Sequence, residues 1–226
     1  MKAGGVADKP AIRRRELERM SRTVDYYFSL ASPWAYIGHA PFMEVVRRHG
    51  LAVNHKPIPL GRVFAETGGL ALPERHPVRQ RYRLVELQRW RDRRGLSFSV
   101  HPRHWPFDPA TADRAVVAIL TGHGDPDAFM RAAFAAIWEE ERDLADRAVV
   151  AALLAGAGHD ADAVLDAVDA PLAEAVYALN LENAVAGEVF GSPAYVLDGE
   201  VFWGQDRIEL LDDALASGRT AYRATA

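Results

Sequence analysis

Residues 24–36 read VDYYFSLASPWAY and combine a strand signal with a helix start. The first seven of these residues are rich in β-branched and aromatic side chains, which favours a strand over 24–30. Ser32 and Pro33 then suit the N-cap and the first position of a helix. The apolar residues that follow fit one helix face as far as residue 49, and Gly50 suits the end of that helix. This segment therefore predicts a strand that leads directly into a helix.

The flanking segments predict a small mixed sheet around this unit. Residues 51–58 predict a second strand, so the first third of the chain has the order β-α-β. Residues 193–203 predict two further strands around Asp198-Gly199, a strong two-residue hairpin turn. Residues 206–216 predict a last amphipathic helix. The order β-α-β, a helical block and then β-β-α indicates an α/β fold without the regular alternation of a doubly wound sheet.

The middle of the chain has a different pattern. Residues 61–72 contain two adjacent glycines and show no clear period, so they predict a loop. Residues 78–94 predict a long helix, and the prolines of residues 101–109 indicate another loop. Five more helices are predicted over 111–120, 126–141, 146–155, 160–168 and 171–186.

These elements predict a division into two domains. A discontinuous sheet domain would comprise residues 23–60 and 188–218, and an all-helical domain would be inserted at 61–187. We expect a flexible basic tail over 1–22 and a short tail over 219–226.

The composition excludes several classes of protein. The chain has 226 residues, 49 % of them apolar, which suffices for a folded core. It has no cysteine, which excludes disulfides, thiolate metal sites, a cysteine nucleophile and a CxxC redox pair. A net charge of −4 argues against a general nucleic-acid binder, and no apolar run is long enough for a membrane span. Without a signal segment or cysteines, a cytoplasmic location is expected.

Three segments together resemble one known family. Residues 27–36 (YFSLASPWAY) are similar to the YFDxxSPxxY start of 2-hydroxychromene-2-carboxylate isomerases and of the related kappa-class glutathione transferases. Residues 190–196 (FGSPAYV) resemble the FGVPTFV segment of these proteins. Residues 202–211 (FWGQDRIELL) resemble the FWGQDRxxxL ending of the isomerases. The resemblance covers about residues 23–216.

The resemblance implies a fold and a cofactor. The family is DsbA-like, with a thioredoxin-like fold and an inserted helical domain, and the predicted order of elements agrees with this. Where DsbA carries CxxC, this chain has no cysteine in residues 32–35, so disulfide exchange is excluded. The family instead binds glutathione, and the resemblance implies that Ser32 contacts the glutathione sulfur.

Further glutathione-binding residues follow from the same resemblance. Ser192 is expected to offer its main chain to the cysteinyl part of glutathione, beside Pro193 in a cis peptide. Gln205 and Asp206 are expected to hold the γ-glutamyl end, whose ammonium suits a carboxylate.

The helix over 78–94 adds residues to the implied site. Arg79 and Glu86 stand where kappa-class enzymes have a lysine and an aspartate, and the resemblance assigns both to the glutathione site. Gly69 stands about where those enzymes have an active-site asparagine. The substrate is expected to face Trp34, Tyr36, Tyr82 and Gly69.

The residues alone also fit plainer interpretations. Ser32-Pro33 fits an ordinary helix start, and the other arginines of the helix over 78–94 fit a solvated face. The aromatic residues Trp90 and Trp105 fit core packing as well as a pocket floor. The histidines of residues 101–104 lack a second cluster of ligands, so no metal site is expected.

The resemblance implies a glutathione-dependent isomerase. Such an enzyme interconverts 2-hydroxychromene-2-carboxylate and trans-o-hydroxybenzylidenepyruvate, or a close aromatic analogue, by reversible thiolate addition. Two alternatives stay open: a kappa-like glutathione transferase, and a DsbA-like biosynthetic relative that binds another aromatic acid. The expected partners are glutathione and a small aromatic carboxylate, and the family leads us to expect a homodimer.

Overall fold

The computed structural model describes residues 22–224 and contains one four-stranded mixed sheet. The strands lie in the order β2-β1-β3-β4, with β1 parallel to β2 and antiparallel to β3, and β3 antiparallel to β4. This confirms the predicted order of elements. The strands are β1 (Thr23–Phe28), β2 (Ala52–Pro57), β3 (Ala194–Leu197) and β4 (Glu200–Trp203).

Nine α-helices occur within the described range. The first follows β1, seven lie between β2 and β3, and the last follows β4 after a 3₁₀ turn over Gln205–Arg207. Together with the sheet, this is the predicted thioredoxin-like arrangement with a helical insertion. The helices are α1 (Pro33–His49), α2 (Leu60–Thr67), α3 (Pro77–Arg94), α4 (Ala110–Thr121), α5 (Asp127–Trp138), α6 (Arg147–Gly156), α7 (Ala161–Asp169), α8 (Pro171–Ala186) and α9 (Ile208–Ser217).

The predicted loop over 61–72 is wrong, because most of it is helix α2. The helix is only eight residues long, which is too short for a period to be visible in the sequence. Val63 is its buried residue and packs in a cluster with Ile58 and Leu181 of α8. Packing against neighbouring elements therefore stabilises a helix that the local pattern does not predict.

The core runs without a break from the sheet into the insertion. One cluster of buried side chains contains Phe28 of β1, Phe42 of α1, and Phe134 and Trp138 of α5. Helix α5 also packs directly against α1. The predicted domain boundaries at residues 60 and 187 stay a prediction, since the packing is continuous across them.

The two predicted tails differ in what the structure describes. Residues 1–21 of the basic tail lie outside the described residues. At the other end, Arg219 donates two hydrogen bonds to the Glu200 carboxylate, at 2.7 and 2.8 Å. Arg223 donates to the Asp198 carbonyl, so residues 219–223 lie along the β3–β4 hairpin. Between residues 22 and 224, no helix combines the length and apolarity that crossing a bilayer requires.

Candidate active site

A cavity of about 630 Å³ lies where the start of α1, the loop before β3 and the turn after β4 face helix α3. This volume is within the range of about 300–1,000 Å³ that is usual for small-molecule sites. The cavity wall therefore contains residues of both the sheet domain and the insertion. Its lining consists of Trp34, Arg75, Val78, Arg79, Tyr82, Arg83, Glu86, Trp90, Ser192 and residues 203–207.

Ser32 caps helix α1 beside this cavity. Its Oγ accepts a hydrogen bond from the Ala35 amide at 3.2 Å and donates one to the Ser192 carbonyl at 3.1 Å. Ser32 is 3 % exposed and lies behind Trp34 and Ser192, which form the cavity wall. The Trp34 amide N–H has no acceptor in the described part of the chain. A free N–H at the positive end of a 17-residue helix suits a bound anion.

The loop before β3 is tied to the loop before α1. The Ser192–Pro193 peptide is cis, as the resemblance implied. The Ser192 hydroxyl accepts a hydrogen bond from the Ser29 amide at 3.1 Å. The Pro193 carbonyl accepts one from the Gly204 amide at 2.9 Å. Ser192 lines the cavity, whereas Pro193 lies behind it.

Gln205 and Asp206 both line the cavity, in the 3₁₀ turn after β4. Gln205 is 2 % exposed, and its buried Oε1 has no hydrogen-bond partner among the described residues. Asp206 pairs with Arg207 at 2.6 Å. Gly204 makes this turn possible because its φ is 105°, and a Cβ there would approach Asp206 Oδ1 to 2.5 Å.

Helix α3 supplies the opposite wall of the cavity. Arg79, Tyr82 and Glu86 line it on successive turns of one face. Glu86 pairs with Arg89, and this contact lowers the pKa of the Glu86 carboxyl. Arg79 has no ion-pair partner among the described residues, so its charge is available to a ligand.

Two residues assigned to the substrate site lie away from this cavity. The ring of Tyr36 packs against Phe98 and Trp138 of the insertion, and its hydroxyl donates to Glu139 at 2.8 Å. Burial, together with Glu139, raises the pKa of Tyr36. Gly69 follows Gly68, the C-cap of α2, and its amide donates to the Phe64 carbonyl. Neither residue forms part of the cavity wall.

A buried carboxyl group holds the loop of residues 29–32 between β1 and α1, which is called the Ser32 loop below. No sequence motif indicated this group. Asp113 of α4 is fully buried, and its Oδ1 accepts a hydrogen bond from the Leu30 amide at 2.9 Å. Its Oδ2 accepts from the Ser29 hydroxyl at 3.0 Å and from the Tyr177 hydroxyl at 3.1 Å. The sequence did contain one signal, since an aspartate at position 113 lies on the face of α4 that carries buried Val116 and Val117.

Burial raises the pKa of Asp113 from 3.8 to about 7, although its three hydrogen bonds lower it. Between pH 4 and 7 the folded chain therefore retains a proton that the unfolded chain releases, so stability falls as the pH rises. A shift of about three pKa units corresponds to on the order of 4 kcal/mol. We expect the unfolding free energy of wild type, relative to Asp113→Asn, to fall by a few kcal/mol between pH 4 and 8.

Urea unfolding of both proteins across this pH range measures the difference. Asp166→Asn, the same chemical change at an exposed position on α7, is the matched control. If the difference in unfolding free energy between wild type and Asp113→Asn stays constant with pH, as it should for Asp166→Asn, the raised pKa of Asp113 is wrong.

Two further arginines line the cavity in addition to the residues assigned to the site. Arg83 belongs to a run of arginines that fits either a solvated face or a carboxylate contact, and it lines the cavity with its guanidinium carbon 4.8 Å from the centre of the Trp105 ring. Arg75, from the segment before α3, lines the cavity beside it. Among residues 22–224, no group of three or more His, Cys, Asp or Glu side chains is arranged to hold a metal ion.

The comparison with known families agrees with this architecture. Residues 23–216 match the family described as DSBA-like thioredoxin domain. The chain belongs to that family. The absence of cysteine sets this DsbA-like chain apart from any member that acts through a CxxC pair.

Similar proteins confirm the more specific resemblance as well. The 2-hydroxychromene-2-carboxylate isomerase of Sphingobium xenophagum is 28 % identical over 198 residues, which cover 87 % of this chain and 99 % of the relative. An enzyme of the same name from Pseudomonas putida is 26 % identical over 194 residues, covering 85 % and 93 %. A solved structure of a selenomethionine form of such an isomerase is 25 % identical, with a TM-score of 0.73 over 86 % of this chain and 95 % of that chain.

Proposed function

We propose that this protein is a glutathione-dependent isomerase that interconverts 2-hydroxychromene-2-carboxylate and trans-o-hydroxybenzylidenepyruvate, or a close aromatic analogue. One observation carries the proposal. A single cavity joins the start of α1, Asp206 and an arginine that has no ion-pair partner within residues 22–224, in a chain that has no thiol of its own. The named relatives support the isomerase class.

The residues of the cavity match the chemical groups of glutathione. Asp206 suits the γ-glutamyl ammonium, and the buried Gln205 oxygen offers an acceptor beside it. Arg79 suits a carboxylate, because a guanidinium presents two parallel N–H donors. Ser192 offers main-chain atoms at the centre of the cavity wall.

When bound, glutathione supplies a thiolate that adds reversibly to the conjugated double bond, and this lowers the bond order so that rotation can occur. A free thiol has a pKa of roughly 8.5, so the protein must favour the thiolate. The Trp34 amide and the Ser32 hydroxyl both serve this purpose at the start of α1. We propose that the Ser32 hydroxyl exchanges its Ser192 acceptor for the sulfur.

Aromatic side chains of the cavity suit an aryl substrate. Trp34, Tyr82 and Trp90 line the cavity together, and Tyr82 is 58 % exposed. Their faces can stack on a phenyl ring. The substrate is therefore proposed to lie between α3 and the start of α1.

An assay of trans-o-hydroxybenzylidenepyruvate with and without glutathione tests the function. Isomerisation that requires glutathione but does not consume it supports the proposal. Stoichiometric formation of a glutathione conjugate would instead identify a kappa-like transferase. No reaction under either condition would favour a relative that binds another aromatic acid.

Asp206→Asn is expected to raise the KM for glutathione about tenfold. The reason is the loss of one charge-assisted contact with the ammonium, and tenfold corresponds to about 1.4 kcal/mol. Turnover at saturating glutathione should change little. Glu209→Gln, an exposed acid one turn further along, is the matched control and should leave the KM unchanged. A KM for Asp206→Asn equal to that of the control would remove Asp206 from the site.

A homodimer and a cytoplasmic location belong to the same proposal. Both rest on the resemblance to the isomerase family. Sedimentation velocity at micromolar concentration tests the first, and fractionation of the source cells tests the second.

A further inference from the structure

Three guanidinium groups that line the cavity have no carboxylate partner in residues 22–224. Arg75, Arg79 and Arg83 all belong to the wall, and none of them lies within 4.0 Å of a carboxylate oxygen in the described part of the chain. By contrast, Arg89 and Arg207 near the same wall pair with Glu86 and Asp206. The cavity therefore has an excess of positive charge on one side.

Arg83 is held in place next to the Ser32 loop. Its guanidinium carbon lies 4.8 Å from the centre of the Trp105 ring. The Trp105 indole N–H donates to the Ala31 carbonyl at 2.9 Å, directly before Ser32. This contact sets Arg83 at the end of the cavity next to Ser32, where the glutathione sulfur is proposed to lie.

Arg75 lies close enough to Arg83 for its charge to lower the pKa of Arg83. Its Nε donates to the Leu70 carbonyl at 2.8 Å, and its guanidinium carbon lies 5.4 Å from the centre of the Phe64 ring. Burial and the charge of Arg75 lower the pKa of Arg83 to about 10. Burial and the charge of Arg79 lower the pKa of Arg75. Two partly buried cations that repel each other, with no counterion from the described residues, form a site that a bound anion would stabilise.

The charges of the proposed ligands match this arrangement. Glutathione brings two carboxylates and one ammonium, and the substrate brings a third carboxylate. The wall presents three arginines that have no carboxylate partner among the described residues. It also presents two acids, Glu86 paired with Arg89 and Asp206 paired with Arg207, and Asp206 is the one proposed for the ammonium. The family resemblance assigns Arg79 to glutathione. Arg75 and Arg83 are therefore left for the remaining carboxylates.

We propose that Arg83, supported by Arg75, forms a subsite for the carboxylate of an aromatic 2-oxo acid and determines specificity for that class of substrate. This inference rests on the proposed function for the identity of the ligand. The guanidinium of Arg83 presents parallel donors that fit a carboxylate or the adjacent keto oxygen. The contact with the Trp105 ring restricts the rotamers of Arg83, so the side chain loses little conformational entropy when the acid binds.

Binding of phenylpyruvate without any thiol tests the subsite by calorimetry. We expect Arg83→Gln to weaken binding at least thirtyfold. Arg81→Gln, on an exposed position of the same helix outside the cavity wall, is the matched control and should stay within twofold of wild type. Phenylacetone, which lacks the carboxylate, should bind weakly and equally to wild type and to Arg83→Gln.

Equal phenylpyruvate affinity in Arg83→Gln and Arg81→Gln would overturn the subsite, whatever the isomerase assay shows. Arg83-dependent binding in a protein that fails to isomerise would retain the subsite and reject the proposed function. Thermal unfolding of each variant identifies misfolding. If Arg83→Gln does not fold, Arg83→Met replaces it, because methionine keeps an apolar stem over Trp105. Weakened binding by a folded Arg83→Met supports the subsite, and unchanged binding overturns it.

Discussion

Ser32→Ala is expected to lower glutathione-dependent turnover by about a hundredfold to a thousandfold, a loss comparable to removal of one oxyanion-hole donor. The variant loses the hydroxyl at the positive end of α1, where the thiolate is proposed to bind. Because less thiolate then forms at neutral pH, the pH–rate profile should also shift to higher pH. Turnover at saturating glutathione and the profile between pH 6 and 9 measure both effects.

The stability of this variant needs a separate control, because Ser32 also caps α1. Loss of a cap costs about 1 kcal/mol. Asp160→Ala removes a cap from α7, where the Asp160 carboxylate accepts from the Ala163 amide at 3.1 Å, far along the chain from the cavity residues. It should lose similar stability and keep full turnover. If Ser32→Ala retains more than a third of wild-type turnover, the role proposed for the hydroxyl is wrong.

Asp113→Ala is expected to cause the largest loss of stability, about 3–5 kcal/mol in urea unfolding at pH 6. The substitution leaves three buried donors without an acceptor, those of Leu30, Ser29 and Tyr177. Each such group costs about 1–3 kcal/mol when it stays buried, and some relaxation of the loop reduces the sum.

Two milder variants separate the stability that is lost with the hydrogen bonds from the stability that is lost with the side-chain volume. Tyr177→Phe removes one donor together with its need for an acceptor, and should cost only about 1 kcal/mol. Asp113→Asn keeps the shape and one acceptor oxygen, so it should lose less than Asp113→Ala. A loss below 1 kcal/mol for Asp113→Ala would show that the loop finds other acceptors.

The contacts of Asp113 connect the insertion to the cavity. The carboxyl belongs to α4, and it binds the loop that precedes Ser32 through Ser29 and Leu30. Ser29 in turn binds Ser192 in the loop before β3. A helix of the insertion therefore positions both loops that meet at the start of α1.

Local signals accounted for most of the fold. The Asp198-Gly199 turn was predicted from its residue types, and both residues have the positive φ that such a turn requires, 52° and 81°. The Ser32 cap and the αL conformation of Gly50 agree with the predicted bounds of α1. Helix α2 was not predicted, because its stability comes from Val63 packing against α8 rather than from its own eight residues.

Sequence alone determined the order of the strands and of every α-helix except α2. It also determined the excluded chemistry and the motif residues Ser32, Gln205 and Asp206, because each of these depends on neighbours in the chain or on residue type. Only the tertiary structure decided which distant side chains meet. It placed Tyr36 in the core and Arg83 over Trp105 in the cavity, and it placed Asp113 beneath the Ser32 loop. The reason is physical: whether a side chain is buried or solvated depends on elements that are distant in the chain, as with Ser29 and Asp113, which lie 84 positions apart, and no local pattern records them.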